Sequence, residues 1–89
     1  MGEKLPAFQR LLAALKLEAS EAAYMGDDVL DLAVLEQCGF AITVPDAPAS
    51  VKRSAHYVTR RRGGEGAVRE ACELLLGLRV AKSRKASAN

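Results

Sequence analysis

The stretch Tyr24-Met25-Gly26-Asp27-Asp28-Val29-Leu30-Asp31 decides the fold of this chain. It is entered through an apolar run, Ala22-Ala23-Tyr24-Met25, short enough for a buried strand; the run stops at Gly26, and three carboxylates follow at the start of a helical pattern. Strand, glycine, acids, helix is the order in which an open α/β sheet offers groups to a ligand, because such folds bind at the carboxyl ends of their strands. Gly26 is expected to let the chain turn sharply off the strand without a side chain blocking the ligand. Two readings of the acids stand side by side. Asp27 or Asp28 suits an N-cap, since a carboxylate accepts from the free N–H groups of a helix start and complements its dipole. A cap needs one acid, however, and Asp27, Asp28 and Asp31 stand at i, i+1 and i+4. Oxygen ligands with no His or Cys beside them favour Mg²⁺ over zinc or copper.

Working outward, Leu5, Phe8, Leu11, Leu12 and Leu15 recur at helical spacing and predict a helix over 5–17, with Pro6 in the first turn, where a missing N–H is harmless. Leu30, Val34 and Leu35 mark a second helix, expected to end near Cys38 with Gly39 as its C-terminal glycine. Phe40–Val44 and His56–Thr59 read as further strands, with a short helix at 48–53 between them. A last helix opens after Gly63-Gly64-Glu65-Gly66 and carries Ala67, Ala71, Leu74, Leu75 and Leu78 on one face. Such alternation predicts an α/β fold of parallel strands with right-handed crossovers and flanking helices. A three-stranded sheet leaves the Ala22–Met25 strand on an edge open to pairing. The organisation expected is one domain over 1–80 and a basic, flexible tail over 81–89.

The chain has 89 residues, 49% of them hydrophobic and 4% aromatic, so its core must be built from Leu, Val and Ala and its stability margin should be thin. The net charge of +2 is concentrated at Lys52-Arg53, Arg60-Arg61-Arg62 and the C-terminal end. No basic helix face and no aromatics interleaved with the arginines exist to bind nucleic acid, and no segment resembles a membrane span or signal peptide. Cys38 and Cys72 lack metal-type spacing, so free thiols in a reducing cytoplasm are expected.

Taken in order, Tyr24-Met25-Gly26-Asp27-Asp28 with Asp31, Val44-Pro45-Asp46-Ala47, Tyr57-Val58-Thr59 and Gly63-Gly64-Glu65-Gly66-Ala67-Val68-Arg69-Glu70 resemble the C-terminal half of the 3-deoxy-D-manno-octulosonate 8-phosphate phosphatase family in the haloacid dehalogenase superfamily. The related domain attached to some sialic-acid cytidylyltransferases shares the pattern. The resemblance implies the C-terminal part of a Rossmannoid fold and a Mg²⁺-dependent phosphatase of a sugar phosphate, in which an aspartate attacks phosphorus and water hydrolyses the aspartyl-phosphate. It implies Asp27 as a metal ligand, and Asp28 in the same motif, holding metal-bound water or ordering the loop. Asp31 would support that water or the turn, and Lys4 would be the lysine that offsets charge between nucleophile and phosphate. It also implies a homo-oligomer, commonly a tetramer, that closes its sites with neighbouring subunits.

The departure is as informative. No Asp-x-Asp occurs in the sequence, so the family's nucleophile is missing and no turnover is expected from these 89 residues alone. A truncated frame, an internal methionine taken as a start, or a cut chain would each account for this. The other class of function to weigh is a non-catalytic assembly module that folds by joining copies of itself or a separate N-terminal half. Around Arg60, Arg62, Gly63, Gly64 and Arg69, free backbone N–H groups and guanidiniums suit an anion, and the resemblance implies a place near subunit contacts and the mouth of the site, although glycines serving only the helix entry and solvated arginines fit equally. Arg69 is expected to pair with an acid near Gly26, Glu70 to support the helix dipole, and His56 to be a surface or capping group.

Overall fold

The computed structural model describes the backbone of residues 4–87 and the side chains of residues 4–77. Helix α1 (Lys4–Leu15) leads through a single 3-10 turn to β1 (Ala23–Met25), and a second 3-10 turn over Val29–Asp31 runs directly into α2 (Leu32–Gln37). Then follow β2 (Phe40–Thr43), α3 (Ala49–Ser54), β3 (Tyr57–Val58) and α4 (Ala67–Ser87). The strands form one parallel sheet in the order β1-β2-β3, with Ala23 opposite Phe40, Met25 opposite Ile42, and Ile42 opposite Tyr57. Every expected strand exists, each shorter than expected by one or two residues at its ends.

Helix α1 stops because Lys16 takes a left-handed conformation at φ 58°. Leu17 N–H then donates to the Leu12 carbonyl at 2.9 Å and Lys16 N–H to Ala13 at 3.2 Å, the paired bonds by which a left-handed residue closes a helix. Gly39 does not end α2 that way. Cys38 is the extended cap, and Gly39 is required by space: a Cβ there would collide with the Ser20 carbonyl, while its N–H donates to Ala22 at 2.8 Å.

Helix α2 lies against β1 and β2, flanked by α1 and α3. The centre of the core is Val34 and Leu35 from α2, Ala41 and Ile42 from β2 and Val51 from α3, all essentially without solvent contact. Ring packing is confined to the margins, where Phe8 meets Tyr24 edge-on at 5.9 Å. His56 is exposed; its Nδ1 accepts the Ala41 N–H at 2.8 Å and its ring stacks on Phe40, so it extends the β2–β3 ladder as a capping group does. Cys38 and Cys72 are both free.

Helix α4 is anchored by the buried Ala67 and Ala71 and its backbone stays helical through residue 87, past the boundary expected at residue 80. The side chains of the expected basic tail, and Leu78, lie outside the described residues. The parallel arrangement brings the carboxyl ends of β1 and β2 and the start of α4 to one rim of the sheet.

Candidate active site

At that rim, Asp31 organises everything near it. It opens α2, its side chain is 3% exposed, and both its oxygens are saturated. Oδ1 accepts from Lys4 Nζ at 2.8 Å and from the Tyr24 hydroxyl at 2.8 Å; Oδ2 accepts from the backbone N–H groups of Asp27 and Asp28, each at 3.1 Å. Burial pushes the Asp31 carboxyl up, but the bonds from Lys4, Tyr24 and the Asp28 backbone outweigh it and hold the group below the usual carboxylate range. The Lys4 ammonium is raised above its ordinary value chiefly by the bond to Asp31, and the Tyr24 hydroxyl is raised by burial and by the same carboxylate. A carboxylate so fully engaged has no lone pair left for a cation. Asp31 therefore stands on the turn-supporting side of the two roles read from the sequence.

The other two acids part company. The Asp27 side chain is exposed and lines a cleft of about 410 Å³, together with Lys4, Tyr24, Gly26, Gly63 and Gly64. Asp28 does not line that cleft; its Oδ1 accepts the Leu30 N–H at 3.3 Å, and it caps the 3-10 turn reciprocally with Asp31. Of the two roles expected for Asp28, its contacts in this structure are those of the residue that orders the loop. The chain satisfies its helix start with the second acid and leaves the first in the cleft. Among the described residues no three His, Cys, Asp or Glu side chains come together as a metal-binding group. For Mg²⁺ the residues fit as a partial set: a carboxylate oxygen on Asp27 at a sheet rim, and room beside it for the waters or phosphate oxygens that Mg²⁺ keeps.

Gly26 has a different reason from the one its position suggests. Its φ is not left-handed; instead it is buried against Asp31, whose Cβ and Cγ would lie 2.5 Å from an added Cβ. The glycine makes room for the carboxylate that fixes the turn.

The basic and glycine-rich segment is divided in the same way. Gly63 and Gly64 form one wall of the acidic cleft, with Gly64 at φ 82° in a conformation that side chains resist. Arg60 and Arg69 instead line a separate cavity of about 600 Å³ with Arg61, and Arg62 lines neither. Arg69 does not reach an acid near Gly26: its Nε donates to Glu73 at 3.1 Å, one turn along α4, on a highly exposed surface. Glu70, beyond any helix-dipole role, accepts from the Arg60 and Arg61 backbone N–H groups at 2.8 and 2.9 Å and from the Tyr57 hydroxyl at 2.8 Å. Those backbone bonds hold its carboxyl low. The Tyr24 and Tyr57 hydroxyls were not singled out by sequence reasoning, and the only sequence signal for either is an aromatic residue at a strand position beside the motif.

Comparison with known proteins identifies the family. The profile of the haloacid dehalogenase-like hydrolases matches residues 2–70, and the chain belongs to that family. Within it the chain is similar to the 3-deoxy-D-manno-octulosonate 8-phosphate phosphatases. It is 47% identical over 74 residues to that enzyme of Yersinia pestis and 48% identical over 73 residues to that of Escherichia coli K12. These matches take in 83% and 82% of this chain but only 40% and 39% of the relatives, so the chain spans about two fifths of their length. Among solved structures, the Moraxella catarrhalis phosphatase in complex with magnesium, phosphate and KDO superposes with a TM-score of 0.83 at 42% identity, over 86% of this chain and 44% of that one. The cobalt-bound Haemophilus influenzae phosphatase superposes with a TM-score of 0.81 at 36% identity, over 86% and 45%.

Proposed function

We propose that this chain supplies the metal-and-lysine wall of a Mg²⁺-dependent phosphatase acting on a sugar phosphate of the 3-deoxy-D-manno-octulosonate 8-phosphate type, in a reducing cytoplasm. The observation that carries the reading is the coupling of Lys4 and Asp27 across one carboxylate. Asp31 takes the ammonium on Oδ1 and the Asp27 backbone on Oδ2, so a cation-binding acid and a phosphate-binding cation face the same cleft. When bound, Mg²⁺ would neutralise phosphate charge and orient the phosphoryl group. Asp27 would hold the ion through its carboxylate. Lys4 keeps two of its three N–H donors for the phosphate while the third is spent on Asp31. The Gly63-Gly64 wall, without side chains, lets the substrate approach the backbone closely.

The attacking aspartate is not in this sequence, which contains no Asp-x-Asp, and the isolated 89 residues are expected to bind Mg²⁺ weakly and to turn nothing over. Isothermal titration of Mg²⁺ into the wild-type chain and into Asp27→Asn, with a phosphate-release assay on both, tests this. Sugar-phosphate hydrolysis by the wild-type chain that vanishes in Asp27→Asn would overturn the incomplete-site reading, and equal Mg²⁺ affinity in the two would overturn the role of Asp27.

A second reading, assembly through this face, has its own support. Among the described residues the outer edge of β1 is unpaired, and beside it an apolar groove of about 400 Å³ carries Leu11 and Leu15, each 58% exposed. A homo-oligomer, tetrameric by resemblance, fits that surface. Sedimentation equilibrium discriminates, since a well-folded monomer at high concentration would count against obligate association.

A further inference from the structure

We propose that Tyr24 is a positioning residue for Lys4: by sharing Oδ1 of Asp31 with the ammonium, its hydroxyl sets where that ammonium stands in the cleft. The inference rests on the reading that Lys4 serves an anion there. Lys4 Nζ and the Tyr24 hydroxyl each approach Oδ1 at 2.8 Å, while Oδ2 is pinned by two backbone N–H groups. Three of the four donors on this carboxylate are therefore rigid: two belong to the turn, and the third is a ring on β1 braced edge-on by Phe8 at 5.9 Å. The fourth stands on a flexible four-carbon stem and is 46% exposed in its side chain, so the ammonium is the member that adjusts. The hydroxyl takes up part of the negative charge that Oδ1 would otherwise direct at Lys4. Without it, a second acceptor position on Oδ1 opens to the ammonium, which swings round the oxygen so that its remaining donors turn from the cleft. Tyr24 lines both the cleft and the apolar groove behind it, so its ring is held between the two.

The test is Tyr24→Phe, which keeps the ring and removes only the hydroxyl. Two quantities are read on the full chain: the Lys4 Nζ resonance in ¹H–¹⁵N spectra tuned to lysine ammoniums, and the dissociation constant for inorganic phosphate in excess Mg²⁺. The expected result is a displaced Lys4 Nζ resonance with the other lysines unmoved, a melting temperature within a few degrees of wild type, and phosphate affinity weakened about three- to tenfold. If Lys4→Met abolishes phosphate binding while Tyr24→Phe changes neither quantity, the positioning role is overturned and the reading of Lys4 survives. If wild type and Lys4→Met respond alike to phosphate, the reading of Lys4 fails. The Nζ resonance then decides alone: displacement in Tyr24→Phe upholds the positioning, and an unmoved resonance overturns it.

Discussion

Lys4 and Asp31, separated by 27 residues of sequence, meet at 2.8 Å between Nζ and Oδ1, one half-exposed and the other 3% exposed. The pair ties the first turn of α1 to the turn that follows β1, and it is the contact through which fold and candidate chemistry are joined. Removing the acid strands more than the lysine. Asp31→Ala leaves the Tyr24 hydroxyl and two turn N–H groups without their acceptor, and is expected to cost about 2–3 kcal/mol, less than breaking a fully buried pair because Lys4 can return to water. Urea denaturation of the two proteins measures it.

The same pair sets a pH window. Asp31 is held below the ordinary carboxylate value, so its contribution is present above the unfolded value of about 4 and is lost as pH falls through the lower folded value. Lys4 and Tyr24 are raised, so their contributions are present below their unfolded values of about 10 and are lost as pH rises through the folded ones. Melting temperature against pH should therefore fall at both extremes. In Asp31→Asn the acid limb should become shallower without vanishing, since Glu70 is also held low.

Gly26→Ala should be disproportionately damaging for the addition of one methyl. The new Cβ would sit 2.5 Å from the Asp31 Cβ and Cγ and 2.7 Å from Oδ2, so the carboxylate must shift from its present place. Overpacking of this kind costs about 1–3 kcal/mol. The specific sign is displacement of the Asp27 and Asp28 amide resonances, which Oδ2 now holds.

Asp27 and Asp28 should separate cleanly by experiment. Asp28→Ala removes a cap and is expected to cost about 1 kcal/mol of stability. Asp27→Asn, exposed in the cleft, should change stability by less than about 0.5 kcal/mol while taking away Mg²⁺ affinity. Thermal melts with and without Mg²⁺ read both effects.

Glu70→Gln should loosen the segment that leads into the Gly63-Gly64 wall. The carboxamide keeps one acceptor oxygen but loses the charge and the second oxygen, so the bonds that hold the Arg60 and Arg61 amides at 2.8 and 2.9 Å weaken and their hydrogen exchange should accelerate. Amides within β2 should keep their protection, since that strand is paired on both sides.

Much of the fold was legible because it rests on local pattern. The spacing of Phe8 and Leu12 announces α1, and the β-branched and apolar run from Phe40 announces β2, whose Ala41 and Ile42 are indeed at the centre of the core. Glycine was the least transparent residue type. Gly26 and Gly39 are needed for close approach to Asp31 and to the Ser20 carbonyl, contacts that no local spacing announces. Arg69 was misplaced for a related reason: on a helix its nearest acid is Glu73 one turn on, and that short-range partner wins over a distant one.

The order of residues by itself determined the alternation of strands and helices, the absence of an Asp-x-Asp, and three acids after a strand-ending glycine, because these depend on periodicity and on identities at short range. What saturates Asp31 was decided only by the tertiary structure. The packing of α1 against α2 and the 3-10 turn before it lowers Lys4 onto Asp31; that contact, with the Tyr24 hydroxyl and the turn amides, saturates one carboxylate, while capping engages Asp28 and leaves Asp27 to the cleft. Partners 27 residues apart in sequence, as Lys4 and Asp31 are, meet only through packing.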